Sequence, residues 1–254
     1  MVLLLALLGA YLGLCAVLFL VQRALVFPAP RDRVDAESGT TVEVPGGTPM
    51  LWRFVEGGGP VVVHFHGNGE QIGGLGWLGE ALAKRQVSFA AVEYPGYPGA
   101  PGTPSEASIV AAAEKALEHL TGRMGVARER IVLSGQSLGT GVAVRLAANG
   151  WGTKLVLLSP YTSMPDVATR GVFQVFPVRL LMRDRFDSES LAPRIDRPVL
   201  MLHGSQDEIV PFDLGQALSA RFPHARFVEV QGAGHNDLWQ HPPTASEYLD
   251  FVAR

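Results

Sequence analysis

The sequence predicts an α/β architecture: a mostly parallel, eight-stranded sheet with helices on both faces, a short cap, and one transmembrane helix ahead of it. Three observations predict it. The first 21 residues contain no charged side chain. From Thr40 onward, short β-branched runs alternate with Ala/Leu-rich stretches. Such runs, apolar throughout and separated by helices, are the pattern of a parallel sheet covered on both sides. The alternation then breaks once, between Pro160 and Arg197, where a cap is expected.

Met1–Val21 reads MVLLLALLGAYLGLCAVLFLV. As a helix it would span roughly 30 Å, about one hydrocarbon core. A buried core helix rarely lacks a polar face over such a length. A cleaved signal peptide would want a basic start and a small-x-small cleavage site. Here Gln22, Arg23, Ala24, Leu25, Val26, Phe27 and Pro28 follow the run, so an uncleaved single-pass anchor is expected. Leu14 before Cys15 argues against a lipoprotein anchor. Arg23, Arg31 and Arg33 lie after the span and none before it, which votes for a cytoplasmic domain, diluted by Asp32 and Asp35.

The expected boundaries are an anchor over 1–22, a linker over 23–39 and one domain over 40–254, with the cap over about 160–197. Pro28, Pro30 and the mixed charges argue against a packed element in the linker. Thr41–Val44 and Leu51–Val55 read as an antiparallel pair joined by the Pro45-Gly46-Gly47 turn. Pro60–Phe65, Val87–Glu93, Arg130–Ser134, Lys154–Ser159, Pro198–Leu202 and Arg226–Val230 read as further strands. Leu78–Arg85, Ser105–Leu120, Leu138–Asn149, Phe212–Arg221 and Thr244–Val252 read as helices, with Ser105 as an N-cap. The cap segment carries Met164, Val172, Phe173, Phe176, Leu180, Leu181 and Met182, which suit either a lid or one more core helix.

Composition excludes several classes. Of 254 residues, 47% are hydrophobic and 18% charged, which rules out a mainly disordered chain. A net charge of −3 gives no basic nucleic-acid surface. Cys15 is the one cysteine, so neither an intrachain disulfide nor a cysteine-based metal cluster can form.

The chemistry centres on Gly135-Gln136-Ser137-Leu138-Gly139. A strand ends just before it and a helix follows, which presents the serine on a sharp turn above the sheet. The alternative is an ordinary strand–turn–helix with a serine cap. A serine nucleophile needs a base and a group to orient that base. Of seven histidines, His235 sits in a Gly-rich loop directly after the last strand. His119 lies in a helix, His224 and His241 beside prolines, and His64 and His66 at a strand end. Asp207 lies just past the carboxyl end of a strand, ahead of its competitors Glu208, Asp187, Asp166 and Asp237. Two amides suit an oxyanion hole: Leu138, from the elbow, and Asn68, from the loop His66-Gly67-Asn68-Gly69. His66 is expected to brace that loop.

These motifs resemble the α/β-hydrolase superfamily. Within it, the chain is similar to small membrane-anchored serine hydrolases related to depalmitoylating thioesterases and to serine aminopeptidase-like lipases. The resemblance runs from about Gln22 to the C-terminus. It is carried by Gln22-Arg23 through Phe27-Pro28, the His66–Gly69 loop and Glu93-Tyr94-Pro95-Gly96-Tyr97. Thr103-Pro104-Ser105-Glu106, the Ser137 pentapeptide, Phe186-Asp187-Ser188, His203 through Pro211, and Gly234-His235-Asn236 complete it. It implies the α/β-hydrolase fold, a triad of Ser137, Asp207 and His235, and oxyanion donors at Asn68 and Leu138. Relatives often have arginine in place of Pro95 and a different stretch in place of Ser159–Ser163, departures that bear on substrate choice. Depalmitoylases of this group also carry a cysteine-rich N-terminus, absent here, so that role is not carried over.

The expected function is therefore a membrane-anchored serine hydrolase acting on carboxylic esters or thioesters with an apolar acyl chain. It would need no metal or organic cofactor and no nucleic-acid partner. Phe173, Phe176 and Leu180, with Tyr97, Tyr161 and Trp239, are candidates for an apolar pocket. A peptidase or amidase would instead want a charged anchor, for which Glu70 and Asp184 are candidates. A catalytically idle membrane scaffold is the reading from a different class.

Overall fold

Hydrophobic strands and the glycines between them set the chain order in the computed structural model, which describes residues 1–170 and 172–254. Helix α1 spans Val2–Val26 and is followed by strands β1 (Thr40–Val42), β2 (Met50–Arg53) and β3 (Val61–Phe65). Next come α2 (Gly76–Ala83), β4 (Ser88–Val92), α3 (Glu106–Gly122), β5 (Ile131–Gln136), α4 (Leu138–Ala148) and β6 (Lys154–Leu158). The cap holds α5 (Met164–Thr169), a 3-10 turn over Val172–Val175 and α6 (Val178–Leu181). The chain returns through α7 (Ser188–Leu191), β7 (Val199–Gly204), α8 (Phe212–Ser219), β8 (Ala225–Val230) and α9 (Pro242–Ala253).

Among the described residues the sheet has eight strands in the order β1-β2-β4-β3-β5-β6-β7-β8. β2 is antiparallel to both of its neighbours, and every pairing from β4 to β8 is parallel. Because side chains alternate along a strand, the central strands feed two separate cores. Val61, Val63 and Leu133 join residues of α3, α4 and α8 on one face. Val62, Val132 and Leu200 join α2 and α9 on the other. β3, β4 and β7 are buried along their whole length, as expected for strands covered on both sides.

Two segments differ from the sequence expectation. The linker does not hang free. α1 runs on to Val26, Phe27 is buried edge-on against Phe186, and the Val34 amide donates to Gln71 Oε1 at 2.7 Å. The expectation of an unpacked segment is therefore corrected: its prolines and charges do not keep the apolar Phe27 side chain out of the core. The cap segment divides as well. Leu191, Ala192 and Ile195 belong to the core beneath α4, whereas Met164, Val167, Phe173, Phe176, Leu181 and Met182 line a cavity. The side chain of Val172, counted among the cap's apolar residues, lies outside the described set.

Leu157 on β6 is fully buried in the larger core. Leu157→Ala should lower stability by about 2–5 kcal/mol through lost burial and a residual cavity. For a domain of this size that is a melting shift of about 2–4 °C per kcal/mol, readable by calorimetry; an unchanged melting point contradicts this placement in the core.

Candidate active site

The turn between β5 and α4 is where local sequence and chemistry meet. Ser137 occupies it with φ 48° and ψ −118°, a backbone region costly for any residue with a side chain. The flanking glycines let the chain through. A Cβ on Gly135 would overlap the Gly139 carbonyl, and one on Gly139 would overlap the Phe65 carbonyl at the end of β3. The Ser137 amide is tied to Leu158 O at 2.9 Å, and its carbonyl accepts from the Thr140 amide and hydroxyl. The serine is thus locked on the rim of the sheet with its side chain only slightly exposed.

His235 enters from the loop after β8. Its Nε2 lies 3.0 Å from Ser137 Oγ and its Nδ1 lies 2.7 Å from Asp207 Oδ2. Asp237 Oδ1 shapes that loop by accepting the Gly234 amide at 2.7 Å. Asp207 follows β7, and its other oxygen accepts the amides of Ile209 and Val210 at 3.0 and 2.8 Å. Burial works against the charged carboxylate, but His203 Nε2 at 3.4 Å, the His235 hydrogen bond and the Val210 amide outweigh it. The Asp207 carboxyl is held well below its ordinary value.

Two other candidate acids sit elsewhere. Asp187 caps α7, and Asp166 binds Thr162, Ser163 and Arg179. The other histidines also have separate duties. His64 is buried against Ser134, and burial, with His66 adding to it, pushes its imidazole down to about 3, so it stays neutral. His203 Nε2 donates to Val210 O at 2.9 Å, which steadies the Asp207 turn. His224 pairs with Asp196 at the surface.

Of the two expected oxyanion amides, Leu138 follows the serine directly, and the loop of Asn68 approaches it through Gly67. Leu138 opens α4, so its N–H is one of the helix's unsatisfied donors. Gly67, one residue before Asn68, sits so close that a Cβ there would touch Ser137 Cβ. Among the described residues, no acceptor within the protein engages the Asn68 or the Leu138 amide. The loop is held from behind by groups that its sequence only partly announces. His66 Nδ1 bonds Gly67 O at 2.8 Å and Nε2 bonds Glu93 Oε1 at 3.0 Å, both side chains fully buried. Tyr94 stacks on His66 and donates to its carbonyl. Glu70 Oε2 accepts the Gly67 amide at 2.7 Å. Glu93 stands in a quoted motif, but nothing local in sequence pairs it with His66.

A cavity of about 410 Å³, within the range of small-molecule sites at roughly 300–1,000 Å³, reaches the site at Asn68 and Ile209; Ser137, Asp207 and His235 are not among its lining residues. Asn68 and Ile209 line it, together with Phe173, Phe176, Met164 and Leu181 of the segment after β6. No lining residue is charged. Four expectations for this pocket need correction. Tyr97 and Tyr161 are buried in the core: Tyr97 packs on His66 and Tyr94, and the Tyr161 hydroxyl donates to Leu138 O. Leu180 points outward and is 86% exposed. Trp239 lies in a separate cleft with Trp77, Glu70 and Gln136, where its Nε1 donates to Gln136 Oε1 at 2.8 Å. Aromatic residues look alike in sequence whether they fill a core or face a ligand, and here packing decided.

Comparison with known proteins agrees with the fold. The model of the α/β hydrolase fold family matches residues 178–242. Over 217 residues the chain is 35% identical to an uncharacterized protein of Mycobacterium tuberculosis, covering 84% of this chain and 74% of that one. It is 34% identical over 197 residues to the human α/β hydrolase domain-containing protein 17C, covering 74% of this chain and 56% of that longer one. Among solved structures, Est1E from Butyrivibrio proteoclasticus superposes with a TM-score of 0.66 at 17% identity, covering 85% of this chain and 96% of that one. The monoacylglycerol lipase of Paleococcus ferrophilus gives 0.60 at 23% identity, covering 81% and 96%. The chain belongs to the α/β-hydrolase family.

Proposed function

We propose that the protein is a membrane-anchored serine hydrolase that cleaves carboxylic esters or thioesters with an apolar acyl chain. The observation that carries this reading is the continuous chain Ser137 Oγ–His235 Nε2 and His235 Nδ1–Asp207 Oδ2, at 3.0 and 2.7 Å. A neutral serine is a weak nucleophile, and an oriented imidazole makes it a competent one. In this mechanism His235 takes the Ser137 proton as Oγ attacks the acyl carbon. The oxyanion then receives the amide hydrogens of Leu138 and Asn68. His235 returns its proton to the leaving alcohol or thiol, and Ser137 keeps the acyl group. A water, deprotonated by His235, attacks that ester and frees the acid. Asp207 stays ionised throughout; it holds the His235 tautomer and favours its charged form.

The apolar cavity beside Asn68 supports the acyl preference. A peptidase reading has less support, because its two candidate anchors are already engaged. Glu70 accepts the Gly67 amide, and Asp184 pairs with Arg23 and accepts the Glu106 amide. In this proposal residues 1–22 anchor the catalytic domain, 40–254. α1 is long and apolar enough to cross a membrane, and most of its surface is open. The arginines after it favour a cytoplasmic domain.

A fluorophosphonate probe should label the full-length protein, and Ser137→Ala should remove both labelling and at least about 10³-fold of kcat/KM on p-nitrophenyl esters. Turnover should rise with acyl chain length and exceed that of aminoacyl anilides. Equal labelling of the variant rejects Ser137 as nucleophile, and a preference for anilides rejects the ester reading.

The Asp207 carboxyl also leaves a mark on stability. Its folded value is depressed, so its contribution is complete above the unfolded value of about 3.9 and fades as pH falls below it. Between about pH 5 and pH 2 the unfolding free energy of the wild type should fall more steeply than that of Asp207→Asn. Parallel curves in denaturant titrations would show that Asp207 is not held ionised by its neighbours.

A further inference from the structure

The cavity that reaches Asn68 and Ile209 has a wall that the hydrolase domain does not supply. Leu18, Gln22, Leu25 and Val26 of α1 line it opposite Phe173 and Phe176 of the cap. We propose that the membrane helix is one side of the acyl-binding pocket, and that a long acyl chain reaches Ser137 sideways from the bilayer, between α1 and the cap. This rests on the membrane-anchored serine-hydrolase reading above and names the source of its substrate: an ester or thioester whose acyl chain already lies in the leaflet.

The first support is that α1 is fastened, not tethered. Gln22 is buried; its amide group donates to Leu181 O and accepts the Arg183 amide, at 3.1 and 2.8 Å. Arg23 Nε meets Asp184 Oδ2 at 2.9 Å, and the other Asp184 oxygen accepts the Glu106 amide at the start of α3. Glu106 in turn accepts the amides of Arg185 and Phe186, on which Phe27 packs. A polar network thus fixes the foot of α1 to the loop that leaves the cap.

The second support is depth. Higher on α1, Tyr11 donates to Val175 O at 2.9 Å and stacks on Phe176 with ring centres 5.8 Å apart. Tyr11 stands roughly 18 Å along the helix axis from Arg23. Arg23 and Arg183, the latter over the Phe19 ring at 3.9 Å, suit the headgroup level at the foot of the span. The cap against Tyr11 then lies within the hydrocarbon. Its outer side chains agree, since Val175 and Leu180 are 66% and 86% exposed with no protein cover. A cleft between two elements that both stand in lipid admits its ligand from lipid, and an uncharged lining suits an alkyl chain.

The test uses the full-length chain in phosphatidylcholine nanodiscs. Leu18→Trp narrows the proposed wall; Leu20→Trp, on the open face of α1, is the control. The ratio of kcat/KM for p-nitrophenyl palmitate to that for p-nitrophenyl acetate should fall about tenfold or more in Leu18→Trp and stay unchanged in Leu20→Trp. An independent reading comes from the wild type alone. A long-alkyl fluorophosphonate with a terminal diazirine is bound to Ser137, photolysed, and its crosslinks mapped by mass spectrometry. Adducts within residues 18–26 support the proposal. An unchanged ratio in Leu18→Trp, or crosslinks that spare α1 while Ser137 is fully labelled, overturns the wall and leaves the hydrolase reading standing. A wild type that turns over neither ester and takes up no probe overturns both.

Discussion

The strained backbone of Ser137 is the constraint on which the rest of the structure depends. Holding a non-glycine residue at φ 48° and ψ −118° costs about 1–3 kcal/mol, and it persists only where the surroundings over-determine it. They do so here. Gly139 abuts the end of β3, Gly135 abuts Gly139, and the Ser137 amide is bonded to the end of β6. The same contacts press α4 against the sheet, where Val142, Ala143 and Leu146 are fully buried. A single packing arrangement therefore stores the strain, aims the hydroxyl outward and leaves the Leu138 amide unpaired.

Two histidine–carboxylate pairs flank that turn and differ in what surrounds them. His235 and Asp207 stand at the rim, with the histidine held on a short glycine-rich loop and reaching the serine. His66 and Glu93 are sealed in the interior beneath the neighbouring loop. His66 Nδ1 faces a carbonyl, which accepts only, so that nitrogen must carry a hydrogen. Both ring nitrogens are thereby committed to the protein, and His66 serves as a brace for Gly67 and Asn68. The first pair moves a proton in the proposed mechanism; the second keeps an amide in place.

Much of this was legible in the sequence. The strands were found within a few residues because buried parallel strands are continuous apolar runs, and the serine turn because its glycines are sterically required. Asp207 and His235 followed from their positions after strands, and the structure brings both to Ser137 in one hydrogen-bonded line. The pocket was less legible. Tyr97, Tyr161 and Trp239 differ from Phe173 and Phe176 in depth, and depth comes from packing, not residue type. The role of α1 was hidden for a related reason. A helix apolar on every side reads as wholly lipid-facing, and only Gln22 breaks the pattern where the cap grips it.

The proposed hydrolase mechanism turns on the covalent step at Ser137. Rapid quenching of the full-length protein during turnover of a p-nitrophenyl ester, followed by peptide mass spectrometry, measures that step. The peptide containing Ser137 should carry the mass of the acyl group, and the modification should disappear as substrate is exhausted. An unmodified Ser137 throughout turnover, or an acyl group on a different side chain, would contradict the account.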